Sequence, residues 1–352
     1  MTYYFLLPDL SAGGAERVSI TMARLLRREG RDVRFLCLGS GDGEMRSWIV
    51  PEFQLEALGC KRVLSAIPSL CRFLHGHKDV TLFSSREHVS IAALIAGKRA
   101  KVPVIVRMPN MPSNRLHKGI KALKWNVIRF VNKRLIPNAR TIISQTDTMR
   151  EEVKAFYQLP DDKVVTIYNP VDREHVCSEA EQKANPFDTH KPQFLCVGNI
   201  AHSKGIDILL QAFAKVHQRM PDACLSIIGR HNTEYASQLR QSVKDDTSIR
   251  FLGFIQNPYP YMKHCDVFVL PSRMEGFPNV LLEAMCFNKP VAVTTCVPII
   301  EKLIQEGENG YYCPTEDVDA LAECMVKATK LQSISNQYEL FQKDRLLQTF
   351  PL

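Results

Sequence analysis

The sequence lacks several features that would assign it to common protein classes. No apolar run approaches the roughly 20 residues that a membrane-spanning helix needs, and the first ten residues lack the basic start and apolar length of a signal peptide. None of the eleven cysteines stands in a C-x-x-C spacing, so the sequence predicts neither a zinc site nor a disulfide framework. We therefore expect a cytoplasmic protein that is neither secreted nor spans a bilayer.

Acidic residues are missing from a long stretch of the first half. No Asp or Glu occurs between Glu87 and Asp147, whereas twelve Lys and Arg fall from Lys98 to Arg140. Residues 1–170 carry 27 basic against 15 acidic side chains, and the remainder carries 18 against 22. The first half is therefore net positive, and we expect it to meet an anionic partner: nucleic acid, anionic lipid or a phosphorylated substrate.

Short apolar runs alternate with helical stretches along the whole chain. At 352 residues and 45% hydrophobic content, the chain is long enough for two domains with sizeable cores. Near-continuous apolar runs between helices are typical of parallel sheets covered on both faces, which predicts the α/β class. The predicted strands are Tyr3–Leu7, Val33–Leu38, Val80–Ser84, Val104–Arg107, Thr141–Ser144 and Val164–Tyr168, then Phe194–Val197, Cys224–Ile228, Ile249–Leu252, Val267–Leu270 and Val291–Thr294.

The alternation restarts after a turn signal at residues 169–172, and a polar stretch poor in apolar residues follows at 179–191. The last residues regain apolar character, which indicates a terminal helix that docks on another part of the protein. The predicted organisation is a first domain at 1–170, a linker at 171–192, a second domain at 193–333 and a helical tail at 334–352.

A glycine-rich corner follows the first strand of each predicted domain. In the first, Gly13 and Gly14 precede a helix; they either let the backbone approach a phosphate or sugar oxygen or form a tight strand-to-helix turn. In the second, Cys196–Gly205, Gly198 follows the strand and Lys204 precedes the next helix. Lys204 is either the cation that neutralises a diphosphate or a solvated loop lysine.

A third segment, Pro271–Met285, runs from a strand through a Gly-Phe-Pro loop into a helix. Its amide groups at Gly276, Phe277 and Asn279 can point at an anion next to Pro278. Two carboxylates flank the loop: Glu275, at the loop, can accept sugar hydroxyls, and Glu283, on the helix, can accept ribose hydroxyls. From chemistry alone, Glu283 could equally be an ordinary surface residue of the helix.

The spacing of those carboxylates, Glu275 and Glu283 in S-R-M-E-G-F-P-N-V-L-L-E-A-M, resembles the E-x7-E signature of retaining GT-B glycosyltransferases of family 4. Four further segments agree in order: G-G-A-E-R near the start, V-G-N-x4-K-G-I-D, F-L-G-F, and P-V-A-V followed by Asn309–Gly310. The resemblance implies the GT-B fold, in which two Rossmann-like domains face each other across a cleft.

The resemblance also implies a role for each matching residue. A sugar nucleotide would bind mainly to the second domain, with Lys204 on the diphosphate, Glu275 on the sugar and Glu283 on the ribose. The candidate catalytic residues are Lys204, Glu275 and Asn199, and the candidate donor-binding residues are Gly13, Gly14, Gly198, Arg273, Gly276, Phe277, Pro278, Asn279 and Glu283. No metal or cofactor is implied, and Asp317–Asp319 is expected to cap a helix.

Two positions depart from the family pattern. Asn199 stands where the family commonly has an arginine, so the stabilisation of the leaving group is either reduced or supplied elsewhere, for instance by Arg273. Arg107 ends a strand after which many relatives carry a histidine near the donor sugar. Arg107, Asn110 or His88 could face the site instead.

The basic segment from Arg115 to Arg134 projects as a helix whose apolar face, which includes Phe130, should pack on the core. The opposite face suits an anionic inner-leaflet surface or a lipid-diphosphate acceptor, although a solvated basic face is the alternative. The residues assigned to that contact are Arg115, Lys118, Lys121, Trp125, Arg129 and Lys133.

The family resemblance implies a metal-independent hexosyltransferase of bacterial surface polysaccharide synthesis, acting for instance on capsule or lipopolysaccharide. Its donor would be a sugar nucleotide, UDP-linked in preference to GDP-linked, and its acceptor a glycan on a lipid carrier at the inner face of the membrane. A UDP-sugar epimerase of the same fold and a non-catalytic nucleotide or glycan binder are the alternatives. A nucleic-acid partner is not expected, because the basic segment lacks a recognisable binding module.

Overall fold

The computed structural model describes residues 1–11, 13–112, 130–187, 191–332, 334, 341 and 343–352. The chain divides into two compact units. The first contains Met1–Pro170 and Leu340–Leu352, and the second contains Val171–Glu339.

The first unit is built on a seven-stranded parallel sheet in the order β3-β2-β1-β4-β5-β6-β7. Its central strands are almost wholly buried, as expected for apolar strands that are covered on both faces. The strands are β1 (Thr2–Leu7), β2 (Asp32–Cys37), β3 (Leu55–Ala57), β4 (Val80–Ser84), β5 (Val104–Arg107), β6 (Thr141–Ser144) and β7 (Val164–Thr166).

The second unit is built on a six-stranded parallel sheet in the order β10-β9-β8-β11-β12-β13. Strand β9 lies on one side of β8 and β11 on the other, so the strand order reverses at β8. The loops that follow β8 and β11 therefore meet at the carboxyl edge of this sheet. The strands are β8 (Gln193–Val197), β9 (Cys224–Ile228), β10 (Ile249–Gly253), β11 (Val267–Leu270), β12 (Val291–Thr294) and β13 (Gly310–Cys313).

Helices connect the strands, and several begin at a side-chain cap. Thr146, Asp172, Thr233 and Asp317 each accept a hydrogen bond from the amide three residues ahead. The α-helices whose ends both lie within the described ranges are α1 (Gly14–Arg28), α2 (Arg46–Ile49), α3 (Ile67–His75), α4 (Glu87–Ala100), α5 (Asp147–Tyr157), α6 (Arg173–Glu181), α7 (Ile206–Arg219), α8 (Glu234–Ser242), α9 (Tyr259–His264), α10 (Asn279–Met285), α11 (Ile300–Leu303), α12 (Val318–Ala328) and α13 (Lys343–Thr349).

The C-terminal segment completes the core of the first unit. Leu346 and Phe350 are fully buried, and the Phe350 ring lies 5.1 Å from the ring of Tyr3 in an edge-to-face contact. The Tyr3 hydroxyl donates to the Pro351 carbonyl at 2.6 Å, and Arg31 Nε donates to the Phe350 carbonyl at 2.9 Å. The last helix is therefore a structural part of the first unit.

The predicted α/β class is confirmed, and eleven strands lie where the apolar runs placed them. The edge strands β3 and β13 were not predicted, because neither contains a continuous apolar run of strand length. The interval 171–192 differs from a plain linker since it contains α6. That helix packs against α9, and Asn257, just before α9, donates through Nδ2 to the Glu179 carbonyl at 2.9 Å.

No helix within the described ranges combines the length and the apolar character needed to cross a bilayer.

Candidate functional site

The loops after β8 and β11 bring Lys204 and Glu275 together. These two strands pair in parallel, so both loops leave the carboxyl edge of the second sheet side by side. Lys204 Nζ lies 2.6 Å from Glu275 Oε1 and 2.8 Å from Oε2, and the Ser272 hydroxyl donates to Oε1 at 2.7 Å. The Lys204 side chain is 30% exposed and that of Glu275 only 9%. A cation that solvent and ligands can reach is thus oriented by a mostly buried carboxylate.

The backbone holds the two loops in close contact. Gly205, the residue after Lys204, has φ +63°, and a Cβ there would lie 2.0 Å from the Pro271 carbonyl oxygen. The Arg273 amide donates to the Ser203 carbonyl at 2.9 Å. Glycine is therefore required at 205 for both its left-handed conformation and the close approach, and this contact fixes the position of Lys204 relative to Glu275.

Arg273 uses all five of its N–H donors inside the protein. Nη1 and Nη2 bind the two oxygens of Asp207 at 2.7 Å each, and Nη1 also donates to the His202 carbonyl at 2.7 Å. Nε and Nη2 bind Glu316. The expectation that Arg273 stabilises the leaving group is not supported by this arrangement, because no donor is left for a phosphate.

In the Arg273 cluster (Arg273, Asp207, Tyr235 and Glu316), the arginine and the two carboxylates are ionised at neutral pH, whereas the Tyr235 hydroxyl keeps its proton. Burial acts to raise the pKa of Asp207, but hydrogen bonds from Arg273 and from the Tyr235 hydroxyl outweigh it and lower that pKa to about 2. Burial and the bond to Asp207 raise the pKa of Tyr235 to about 12. The sequence pattern contained Asp207 in K-G-I-D, but nothing in it indicated a partner 66 residues away.

The remaining candidate site residues of the second unit differ in their exposure and in their hydrogen bonds. Asn199 is exposed, and Gly198 faces open space, since an added Cβ would meet nothing within 4 Å. Phe277 and Pro278 are buried, and Gly276 is half-buried. The Asn279 amide donates to the Phe277 carbonyl at 2.9 Å, so it is not free to bind an anion as predicted. Glu283 lies half-buried on α10.

The glycine corner of the first unit accommodates an ion pair. The last residue before α1 is Gly13, and a Cβ there would lie 2.4 Å from Glu16 Oε2 and 3.0 Å from Arg86 Nη2. Glu16 is 2% exposed, and Arg86 Nε lies 2.5 Å from its Oε1. Gly14 begins the helix. A missing side chain at 13 thus makes room for a buried carboxylate and its arginine, neither of which the sequence analysis selected.

Most of the predicted membrane-contact residues, namely Arg115, Lys118, Lys121, Trp125 and Arg129, lie outside the described residues. The helical residues 130–135 correct one part of that prediction: Phe130 is 61% exposed instead of packed on the core, and Asn132 is buried. The Arg134 guanidinium lies 4.9 Å from the Phe130 ring centre, and Lys133 is exposed. This end of the segment therefore presents an exposed aromatic ring in contact with one cation, Arg134, next to a second exposed cation in the sequence, Lys133.

Within the ranges that the structure describes, no three His, Cys, Asp or Glu side chains converge as metal ligands. Asp317 accepts a hydrogen bond from the Ala320 amide at 2.9 Å, which confirms its predicted role as a helix cap.

The fold is shared with a protein whose solved structure holds a nucleotide and a sugar. The solved structure of Anabaena HepE in complex with UDP and glucose superimposes with a TM-score of 0.75 over 94% of this chain and 92% of that chain, at 19% sequence identity. The profile described as Glycosyltransferase Family 4 matches residues 12–175, and the profile described as glycosyl transferases group 1 matches residues 191–330. The chain is a family 4-like GT-B glycosyltransferase.

Two relatives of this family 4-like chain are named for lipid-linked acceptors. An α-1,3-galactosyltransferase of Escherichia coli that acts on GlcNAc-diphosphoundecaprenol is 26% identical over 92% of this chain and 86% of its own. A Campylobacter jejuni N-acetylgalactosaminyltransferase that acts on a diphospho-undecaprenol disaccharide is 24% identical over 89% and 86%. The matches span nearly the full length of both proteins.

Proposed function

We propose that this chain transfers a hexose or N-acetylhexosamine from a UDP-sugar to a lipid-linked glycan, with retention of the anomeric configuration, in bacterial surface polysaccharide synthesis. The observation that carries the proposal is the Lys204–Glu275 pair, which lies at the carboxyl edge of the second sheet on two loops held together by their backbones. Ligands of α/β sheets bind at this edge.

The pair supports donor binding through an exchange of partners. Lys204 is 30% exposed, so a diphosphate can approach its ammonium without unfolding the corner. Once a phosphate oxygen binds Lys204, Glu275 is released to accept hydroxyl hydrogens from the sugar. Lys204 and Glu275 would then contact both halves of a sugar nucleotide, as the family resemblance implies.

The chemistry needs a stabilised leaving group. As the bond between the anomeric carbon and the phosphate oxygen breaks, negative charge accumulates on the UDP, and a fixed ammonium stabilises that charge more in the transition state than in the ground state. The acceptor oxygen bonds to the anomeric carbon on the same face, and its proton passes to the departing phosphate oxygen. This step requires no divalent metal.

Support for a lipid-linked acceptor comes from the two relatives and from charge. Residues 98–140 carry twelve cations and no carboxylate, and the exposed Phe130, Lys133 and Arg134 form the described end of that segment. Exposed aromatic rings beside cations suit an anionic membrane interface. We therefore propose peripheral association with the inner leaflet, through this segment. Sedimentation with anionic vesicles at low salt tests it; equal binding to neutral vesicles would refute it.

The test of the donor site measures ligand-induced stabilisation. We expect UDP and one UDP-sugar, but not GDP-mannose, to raise the melting temperature of the wild type, because a ligand bound only by the native state stabilises it. Lys204→Ala should abolish that shift. The matched control is Lys215→Ala, which removes an exposed lysine paired with Asp319 at another place in the same unit and should leave the shift unchanged.

The reaction itself is tested with a synthetic diphosphate-linked glycan acceptor. We expect an α-linked product from an α-linked donor, equally fast with and without EDTA. An inverted product would refute retention, and loss of rate in EDTA would refute metal independence. Conversion of the donor sugar without acceptor would favour the epimerase instead, and absence of both reactions despite UDP binding would favour the non-catalytic binder.

A further inference from the structure

Arg107 is the largest fully buried side chain of the described residues. It is the last residue of β5, so it lies at the carboxyl edge of the first sheet, and it is only 2% exposed. Buried arginines are ordinarily paired with a carboxylate or saturated with hydrogen bonds, because an uncompensated buried charge is strongly destabilising. Arg107 departs from that rule.

One side of the Arg107 guanidinium is held by a relay of amides whose directions are fixed. The Met108 carbonyl can only accept, and Gln145 Nε2 donates to it at 2.8 Å. Gln145 Oε1 then accepts from Asn169 Nδ2 at 2.8 Å, which turns Asn169 Oδ1 towards Arg107 Nη2 at 2.6 Å. The relay orients the guanidinium but brings no negative charge.

The other side of the guanidinium has no partner among the residues that the structure describes. Arg107 Nε and Nη1 are buried, and no acceptor in the described ranges lies within hydrogen-bond distance of either. Burial lowers the pKa of Arg107 to about 9, against an opposing effect of Glu16, so the group is still charged at neutral pH. Glu16 is itself bound by Arg86 Nε and Nη2 at 2.5 and 2.8 Å. The buried carboxylate of Glu16 therefore interacts electrostatically with both Arg86 and Arg107.

We infer that Arg107 binds an oxyanion of a ligand, specifically a phosphate oxygen, at the carboxyl edge of the first sheet. The uncompensated positive charge, the two unpartnered donors and the preset orientation are what a phosphate needs and what a purely structural arginine would not have. The phosphate belongs either to the diphosphate of the donor or to that of a lipid-linked acceptor. Assigning it to the acceptor rests on the proposed function, whereas the binding of an oxyanion by Arg107 does not.

The stability of the ligand-free protein separates this role from a structural one. Replacing an unpaired buried cation by an apolar side chain of similar length removes a penalty, so Arg107→Met should leave the melting temperature unchanged or raise it. The matched control is Arg24→Met: Arg24 is 7% exposed but is paired with Glu52 and with the Trp48 carbonyl, and its loss should lower the melting temperature. A fall for Arg107→Met equal to that of Arg24→Met would count against the inference.

Binding of inorganic pyrophosphate and of UDP, measured by calorimetry on the full chain, decides between the two sources. If Lys204→Ala still binds pyrophosphate and the added Arg107→Met weakens it at least tenfold, the site takes a phosphate other than the donor's. If Arg107→Met alone weakens UDP binding at least tenfold, the donor's diphosphate is the ligand. Unchanged affinity for both probes overturns the inference.

A second measurement covers the case in which Arg107→Met fails to fold. Pyrophosphate added to the Lys204→Ala protein should slow amide exchange in residues 104–112, and UDP added to the wild type should do so if the donor is the source. No protection by either probe overturns the inference. Neither readout uses transferase activity, so this test can fail or succeed separately from the proposed reaction.

Discussion

Removing Arg273 tests whether an arginine without free donors still governs the reaction. In Arg273→Met, the loop that carries Lys204 loses the bond from Nη1 to the His202 carbonyl, although the backbone bonds to Ser203 remain. A charge-assisted hydrogen bond contributes about 1.5–3 kcal/mol. If that energy holds Lys204 in its productive position, kcat/KM should fall by about 10- to 100-fold.

The conservative variant distinguishes position from charge. Arg273→Lys keeps the positive charge but cannot span Asp207, Glu316 and the His202 carbonyl together, because a lysine presents one compact ammonium instead of a planar fork. We expect Arg273→Lys to lose nearly as much kcat/KM as Arg273→Met. Retention of most of the activity by Arg273→Lys alone would refute the positioning role and restore a direct charge effect on the leaving group. Lys215→Met is the control for a lost surface ion pair.

The stability of these variants can be predicted separately. The pKa of Asp207 is about 2 against its ordinary 3.8, a difference that corresponds to about 2 kcal/mol, shared between Arg273 and Tyr235. Because the folded-state pKa is the lower one, this stabilisation is complete above pH 3.8 and is lost as the pH falls towards 2. Urea unfolding should therefore show a deficit of ~1–2 kcal/mol for Arg273→Met at pH 7 that shrinks to about half at pH 3. A pH-independent deficit would contradict this reasoning.

Two further predictions concern packing. Gly205→Ala should unfold or strongly destabilise the second unit, because its Cβ would lie 2.0 Å from the Pro271 carbonyl oxygen at φ +63°. The control is Gly198→Ala, which should melt like the wild type because its Cβ would have no neighbour within 4 Å. Equal melting temperatures for the two variants would refute the close approach. Phe350→Ala should lower the free energy of unfolding of the first unit by about 3–5 kcal/mol, because the fully buried ring packs on Tyr3 and Phe5. A denaturant titration measures this change. A loss below ~1 kcal/mol would show that the C-terminal segment is not part of that core.

Apolar runs predicted most of the fold because burial on both faces leaves a strong local signal. Val80–Ser84 and Val267–Leu270 were located to the residue. The edge strands β3 and β13 have a half-exposed pattern and depend on their neighbour for pairing, so their signal is not local. The helix in the predicted linker has only two buried residues, Val176 and Ala180, too few for a periodic pattern.

Site residues that belong to a local sequence motif could be predicted, whereas contacts between residues far apart in the sequence could not. Lys204 and Glu275 were selected by motif, and their contact follows from the pairing of β8 with β11. The carboxylate partners of Arg273 come from helix α7 and from the turn after β13, far apart in the sequence. The isolated charge of Arg107 is evident only when its surroundings are known. The sequence alone does not distinguish an arginine whose N–H groups are all hydrogen-bonded from one whose N–H groups mostly lack acceptors.

The order of segments along the chain has a consequence for synthesis. Residues Val171–Glu339 leave the ribosome as one continuous unit, whereas the first unit lacks Leu346 and Phe350 until after they have emerged. Although domains usually fold in the order in which they are made, here the unit that is started first is completed last. A nascent chain that has emerged as far as residue 339 is thus expected to have a complete second sheet and a first sheet whose core is still accessible to chaperones.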